Sequence, residues 1–207
     1  MPLSRALVDY RSAITRANAL IASAHAVDAT GSNLWSVDDR LTITESAFLK
    51  IFIAWESFLE RSFVLFMMGT PSASGNAVVR YVFPTSEDHA NKILIGTLRY
   101  VDWSQPENVR KLARLFFDNG EPFNTTIAEV QSDLFDLKTI RNAAAHLSST
   151  TTESLDRMST GKLHRPCSGM TVYNLILAPD PGLGAGSTIL QTYLSTLDAA
   201  AHKIAHA

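Results

Sequence analysis

A single cysteine, Cys167, stands in a chain of 207 residues. With one thiol no internal disulfide can form, and a reducing cytoplasm is the expected setting. Glycine and proline are scarce, at ten and eight, which excludes a low-complexity or fibrous chain. Excess charge is missing too. At a formal net charge of −2 the protein is no polyanion binder by bulk charge, so any nucleic-acid contact needs a local patch. Nor is there an unbroken apolar run. The most apolar stretch, residues 48–68, is interrupted by Lys50, Glu56, Glu60 and Arg61, whereas a bilayer span needs about 20 mostly apolar residues. The opening Met1-Pro2-Leu3-Ser4-Arg5 lacks a signal-peptide layout. A soluble protein with no membrane partner is expected.

What is present suits one globular domain over residues 1–207: 46% of residues are hydrophobic and 18% charged, enough for a sizeable core. Leu3, Leu7, Tyr10, Ile14, Ala17 and Ile21 follow one face of a helix over 3–28. Residues 32–42 read as a connector carrying Trp35. The next helix, over 44–68, is capped by Thr42 or Thr44 and is apolar almost all round. That pattern implies burial on several sides, by the bundle or by a second subunit. Shorter helices are expected over 86–100 and from Ser104, the cap, to Phe117. From Thr125 or Thr126 the residues Ile127, Val130, Leu134, Leu137, Ile140, Ala144 and Leu147 repeat at steps of three and four, a sustained core stripe. Residues 150–186 are expected to be an irregular insertion, with a helical turn or two from Ser154 to Met158 and a short strand over Met170 to Ala178. A last helix follows over 187–205. The fold class is all-α: an up-and-down bundle of about five long helices, with a small irregular or β-hairpin insertion before the last.

The helix ending near residue 147 carries the chemistry. At about 100° per residue, with Leu137 as zero, Ile140, Ala144 and Leu147 fall within about 80° of it on one side. Arg141 lies about 40° to the other side, Asn142 near 140° and His146 near 180°. The core stripe should therefore turn His146 outward, one turn beyond Asn142. Ala143, Ala144 and Ala145 add little bulk and would let a second helix approach closely. A solvated face that happens to carry a histidine has the same pattern.

Arg141, Asn142 and His146 form an Arg-x4-His motif, and Trp55-Glu56-Ser57-Phe58-Leu59 lies on the early long helix. With these two features the chain resembles a HEPN domain of the RiboL-PSP-like branch, over roughly residues 5–205. The resemblance implies metal-independent RNA cleavage, without cofactor, by a homodimer whose motif helices face each other. It also implies a toxin or antiphage role. Some members pair with a nucleotidyltransferase-like antitoxin that modifies a tyrosine two residues after the histidine. Here that position is Ser148, a departure that bears on silencing and not on Arg141 or His146.

The residues fit that chemistry. RNA is cut when its own 2′-OH attacks the adjacent phosphate, which needs proton transfer and a counter-charge. An imidazole exchanges protons near neutrality, and a guanidinium presents a fork of donors to phosphate. Asn142 would fix the imidazole or a phosphate oxygen. Glu56 would orient Arg141 or His146, or else serve as a buried ion pair or dimer contact. Lys138, Arg157, Lys162 and Arg165, with His164, are candidate RNA contacts or merely solvated charges. The alternative function is a non-catalytic HEPN-like module for nucleotide or RNA binding or for protein interaction. Other patterns are weaker. Gly182 to Thr188 follows a phosphate-loop context but lacks the lysine, so Ser187 is expected to be a helix cap. His202 and His206 have ligand spacing, but Lys203 stands where a catalytic glutamate would be. Cys167 has no histidine pattern around it and reads as an incidental thiol.

Overall fold

The computed structural model describes residues 2–96, 100–146, 148–182 and 186–207. Over these the chain is all-α, as the periodicity implies: α1 Leu3–Ala24, α2 Val37–Met67, α3 Glu87–Ile95, α4 Pro106–Phe116, α5 Phe123–Glu129, α6 Gln131–Ala145, α7 Ser149–Leu163, α8 Val172–Ile176 and α9 Ile189–Ala205. A 3-10 turn, Asp118–Gly120, sits between α4 and α5. Pairing outside helices, among the described residues, is limited to isolated bridges such as Pro179 with Thr188. The chain divides into two compact units. The first comprises Met1–Arg11, Trp55–Phe135 and Thr196–Ala207, the second Ser12–Ala54 and Asp136–Ser195.

The first unit is built on aromatic packing. Phe63 of α2 lies 4.5 Å from Phe123 and 4.9 Å from Phe117, ring centre to ring centre, within the range where aromatic pairs add to simple burial. Tyr10 of α1 packs on Trp55 and Phe58 of α2. The end of α2 is fixed by backbone geometry. Thr70 N donates to Leu65 O and Gly69 N to Phe66 O, the paired bonds of a Schellman stop. Gly69 has φ +81°, and a Cβ there would meet the Arg80 guanidinium. Arg80 Nη1 instead closes on Met67 O at 2.9 Å. Glycine is required for its φ, and a side chain there would also displace the Arg80 guanidinium.

In the second unit Phe48, Ile51 and Phe52 of α2, Leu137 and Ile140 of α6, Leu155 of α7, Leu175 and Ile176 of α8 and Tyr193 of α9 are all buried. The described part of the 150–186 segment is irregular only outside α7 and α8. Ser148 caps α7 by accepting from Thr151 N, while the Thr151 hydroxyl accepts from Ser148 N, a reciprocal capping box. The run Ser148-Ser149-Thr150-Thr151-Thr152 reads as loop composition, yet these residue types are also the best helix initiators. The expected strand over 170–178 is α8, capped by Thr171. Val172, Leu175 and Ile176 are its buried residues; their helical spacing prevails over their β-branched character.

Other boundaries move as well. α2 starts before Thr42, because Ser36 Oγ accepts from Asp39 N and Asp38 and Asp39 occupy the first turn. Gln105, not Ser104, is the N-cap of α4; the Ser104 hydroxyl donates to Asp102. The expected helix over 125–147 is two helices that break at Val130 (φ −108°, ψ 13°). No glycine or proline marks the break, and the apolar period runs straight across it. Residues 97–99, 147 and 183–185, parts of the expected 86–100 helix, core stripe and glycine-rich loop, lie outside the described residues.

Replacing Ser148 with alanine should cost about 1 kcal/mol and lower the thermal midpoint by about 3 °C. Aspartate at that position should retain most of the stability. Thermal unfolding by circular dichroism measures both, and an unchanged midpoint in the alanine variant would contradict the cap's role.

Candidate functional site: the junction of α6 and α7

The wheel placement of α6 holds for its leucines, Ile140 and Phe135, but Ala144 of the expected stripe is only half-buried. Leu134, Leu137 and Ile140 are buried, Phe135 is 38% exposed, and His146 is exposed. Arg141 and Asn142 are half-buried at the C-terminal end of the helix. Arg141 Nη1 donates to Asn142 Oδ1 at 3.0 Å. Ala143 is buried and Ala145 exposed.

α6 ends at Ala145, so His146 stands one residue beyond the last turn. Its backbone is held on both sides. His146 N still donates to Asn142 O at 3.0 Å, and the Thr151 hydroxyl donates to His146 O at 2.7 Å. The capping box of α7 thus also fixes the exit of α6. Asn142 serves the junction twice: its backbone oxygen holds the His146 amide, and its side-chain oxygen holds Arg141. One of the five guanidinium N–H groups is thereby used, leaving the others for an anion. The imidazole itself makes no hydrogen bond to the described residues.

The structure does not gather every residue that the motif suggests. Lys162 of α7 is spent locally: its Nζ is 3.6 Å from Asp136 and 4.6 Å from the centre of the Tyr193 ring. The Tyr193 hydroxyl donates to the same Asp136 at 2.9 Å. Lys138 is half-buried and already engaged. Arg157, on α7, and Arg165, beyond its end, are exposed. His164 closes α7 in the left-handed region, φ 52°. Glu56, a residue of the first unit, is half-buried and already engaged. Cys167 is half-buried, with its amide on Thr160 Oγ1. His202 and His206 are stacked at 4.0 Å, and His206 Nδ1 sits 3.0 Å from His202 O. The cap of α9 is Thr188, which exchanges bonds with Gln191, rather than Ser187.

Two polar clusters of the second unit carry no sequence motif. Asp180 accepts from Thr192 Oγ1 at 2.6 Å and from Gly182 N at 2.8 Å. These bonds hold its carboxyl below the usual carboxylate range. His25 Nε2 meets Thr44 Oγ1 at 3.1 Å, and its ring stacks on Tyr173 at 5.4 Å. Burial, and secondarily the Arg40 charge, push His25 below its ordinary value of 6.5.

No protein family profile, curated protein or solved structure matches this chain. No helix of the described residues is long and apolar enough to cross a membrane.

A lowered folded-state value means that the folded protein disfavours the imidazolium. The His25 contribution to stability is therefore present above about pH 6.5 and lost as pH falls below it, through the folded value. Between about pH 7.5 and pH 5.5 the unfolding midpoint of the parent should fall more than that of His25→Gln. Parallel midpoint curves for the two proteins would contradict this.

Proposed function

We propose that this protein is a metal-independent endoribonuclease of the HEPN type, acting as a cytoplasmic homodimer through the α6 face, in a toxin or antiphage role. The observation that carries the reading is the end of α6. An exposed imidazole at His146 has its backbone fastened on both sides, close in sequence to a guanidinium that an amide orients without neutralising. His146 would exchange protons with the 2′-OH or the leaving 5′-oxygen. Arg141 would bind a non-bridging phosphate oxygen and offset the charge that builds up during attack. Atoms balance within the RNA: the 2′-oxygen bonds to phosphorus, the bond to the 5′-oxygen breaks, and a 2′,3′-cyclic phosphate remains. One histidine per chain falls short of a separate acid and base, and a second copy supplies the other. Arg157 and Arg165, exposed beyond the motif, are the remaining candidates from the basic cluster for guiding RNA.

Single-stranded RNA incubated with the protein and EDTA should be cut to cyclic-phosphate ends. Arg141→Ala and His146→Ala should each lower the rate at least about a hundredfold. Wild-type cutting by either variant would refute the assignment. RNA bound but left intact by the parent would favour the non-catalytic binding module.

A further inference from the structure

The first unit carries exposed rings at the C-terminal end of α4, a helix with three cations and one carboxylate. Val79, Tyr81 and Phe83 are 63%, 54% and 71% exposed, while Arg80 and Val82 between them are half-buried. That alternation is the period of extended chain, which sends every second side chain to one face. The backbone agrees. Arg80 bridges Phe117, Tyr81 N donates to Phe116 O at 2.8 Å and Asp118 N to Val79 O at 3.0 Å. These bonds lay the segment along the C-terminal end of α4, where Leu115 is 58% exposed.

Both rings are held in place. The Tyr81 hydroxyl donates to Asp118 at 2.7 Å. The Arg80 guanidinium, anchored on Met67 O, lies 5.0 Å from the centre of the Phe83 ring. Ordered aromatic rings left in water are costly unless something covers them. The charges of α4, along whose C-terminal end this segment lies, narrow what that is, with Asp118 as the carboxylate at Tyr81. α4 presents Arg110, Lys111 and Arg114 against one carboxylate, Glu107, whose oxygens accept from the Gln105 and Gln131 amides. Arg110 and Arg114 both donate to the Asn124 amide oxygen at 3.2 Å, and Arg110 donates to Gln131 at 2.8 Å. Among the described residues, none of Arg80, Arg110, Lys111 and Arg114 is ion-paired with a carboxylate. Their partners orient them and leave their charge in place.

We propose that this strip is a binding track for single-stranded RNA, with Phe83 and Tyr81 as stacking platforms for bases and Arg110, Lys111 and Arg114 as phosphate contacts. Exposed flat rings together with the cations of a neighbouring helix suit unpaired nucleic acid, whose bases offer a π-face at every step. An apolar protein partner would leave the cations without counter-charge. The inference deepens the ribonuclease reading and rests on its choice of RNA as substrate.

The test is fluorescence anisotropy with a labelled single-stranded oligoribonucleotide of about 12 nucleotides and the full chain carrying His146→Ala, which prevents cutting. Phe83→Ala and Tyr81→Ala should each weaken binding about tenfold. Tyr81→Phe, which keeps the ring, should bind like the parent. Lys111→Gln should reduce the salt slope by about one unit, and an RNA duplex, whose bases are already stacked, should bind more weakly. Because these side chains are exposed, unchanged thermal midpoints will show that the variants are folded. Ring variants that bind as tightly as the parent, or a parent that does not bind RNA, would overturn the track. So would a Phe83→Ala variant that converts a dimer to a monomer without affecting RNA. Cutting by the wild-type chain with unaltered binding in the ring variants sinks the track alone. Binding that depends on Phe83 without cutting by the wild type sinks the nuclease reading alone.

Discussion

The rotation of α6 about its own axis is the constraint from which the candidate site follows. Leu134, Leu137 and Ile140 are 4%, 1% and 0% exposed, and each contributes roughly 1.5–3 kcal/mol by leaving water. Turning the helix by the roughly 100° of one residue would carry that stripe towards solvent and bring charged side chains inward. The cost excludes such a phase. With the phase fixed, Arg141 emerges at the border of the buried face and His146 on the far side. The exposure of the imidazole is thus a consequence of where the leucines go, not an independent feature.

Exposure alone gives a mobile side chain on a fraying helix end. Here the end does not fray freely, because its last backbone groups are taken up. Asn142 O holds the His146 amide and Thr151 holds the His146 carbonyl. Thr151 belongs to the capping box that starts α7, so one hydroxyl couples the stop of one helix to the start of the next. Catalytic groups gain from such backbone anchoring because misplacement by an ångström is expensive.

The sequence made the helical class and the outward face of α6 legible, since both rest on a long apolar period that tertiary packing reinforces. Helix starts were less legible. Ser36, Ser148 and Thr188 cap helices from within stretches rich in residues that serve turns equally well. What distinguishes the two uses is whether a side-chain oxygen meets an amide three residues on, and composition does not encode that. The 170–178 segment misled for a related reason: β-branched content suggested a strand, and only the spacing of Val172, Leu175 and Ile176 foretold α8. The division at Val130 left no mark at all. At the candidate site, the exposure of His146 and the half-buried position of Arg141 were legible through phase. The fate of Lys162 was not, because Asp136 and Tyr193 reach it from distant positions in the chain.

Lys162 illustrates what makes a cation available to an anion. Counted along the sequence it is a positive charge beside the motif. In the fold its ammonium faces a carboxylate at 3.6 Å, and much of its field is spent there. Arg11 with Asp198, Arg61 with Glu87 and Lys203 with Glu129 are spent in the same way. Arg141 and the Arg110–Arg114 pair differ in one respect: the oxygen that holds them belongs to an amide, that of Asn142 or Asn124. An amide oxygen accepts the same hydrogen bond as a carboxylate but brings no formal charge. The guanidinium is therefore oriented in advance, which lowers the ordering cost of binding, while its charge stays whole for a phosphate. A carboxylate partner would supply the order and cancel the charge. The choice of asparagine over aspartate beside these arginines thus orients each guanidinium without cancelling its charge.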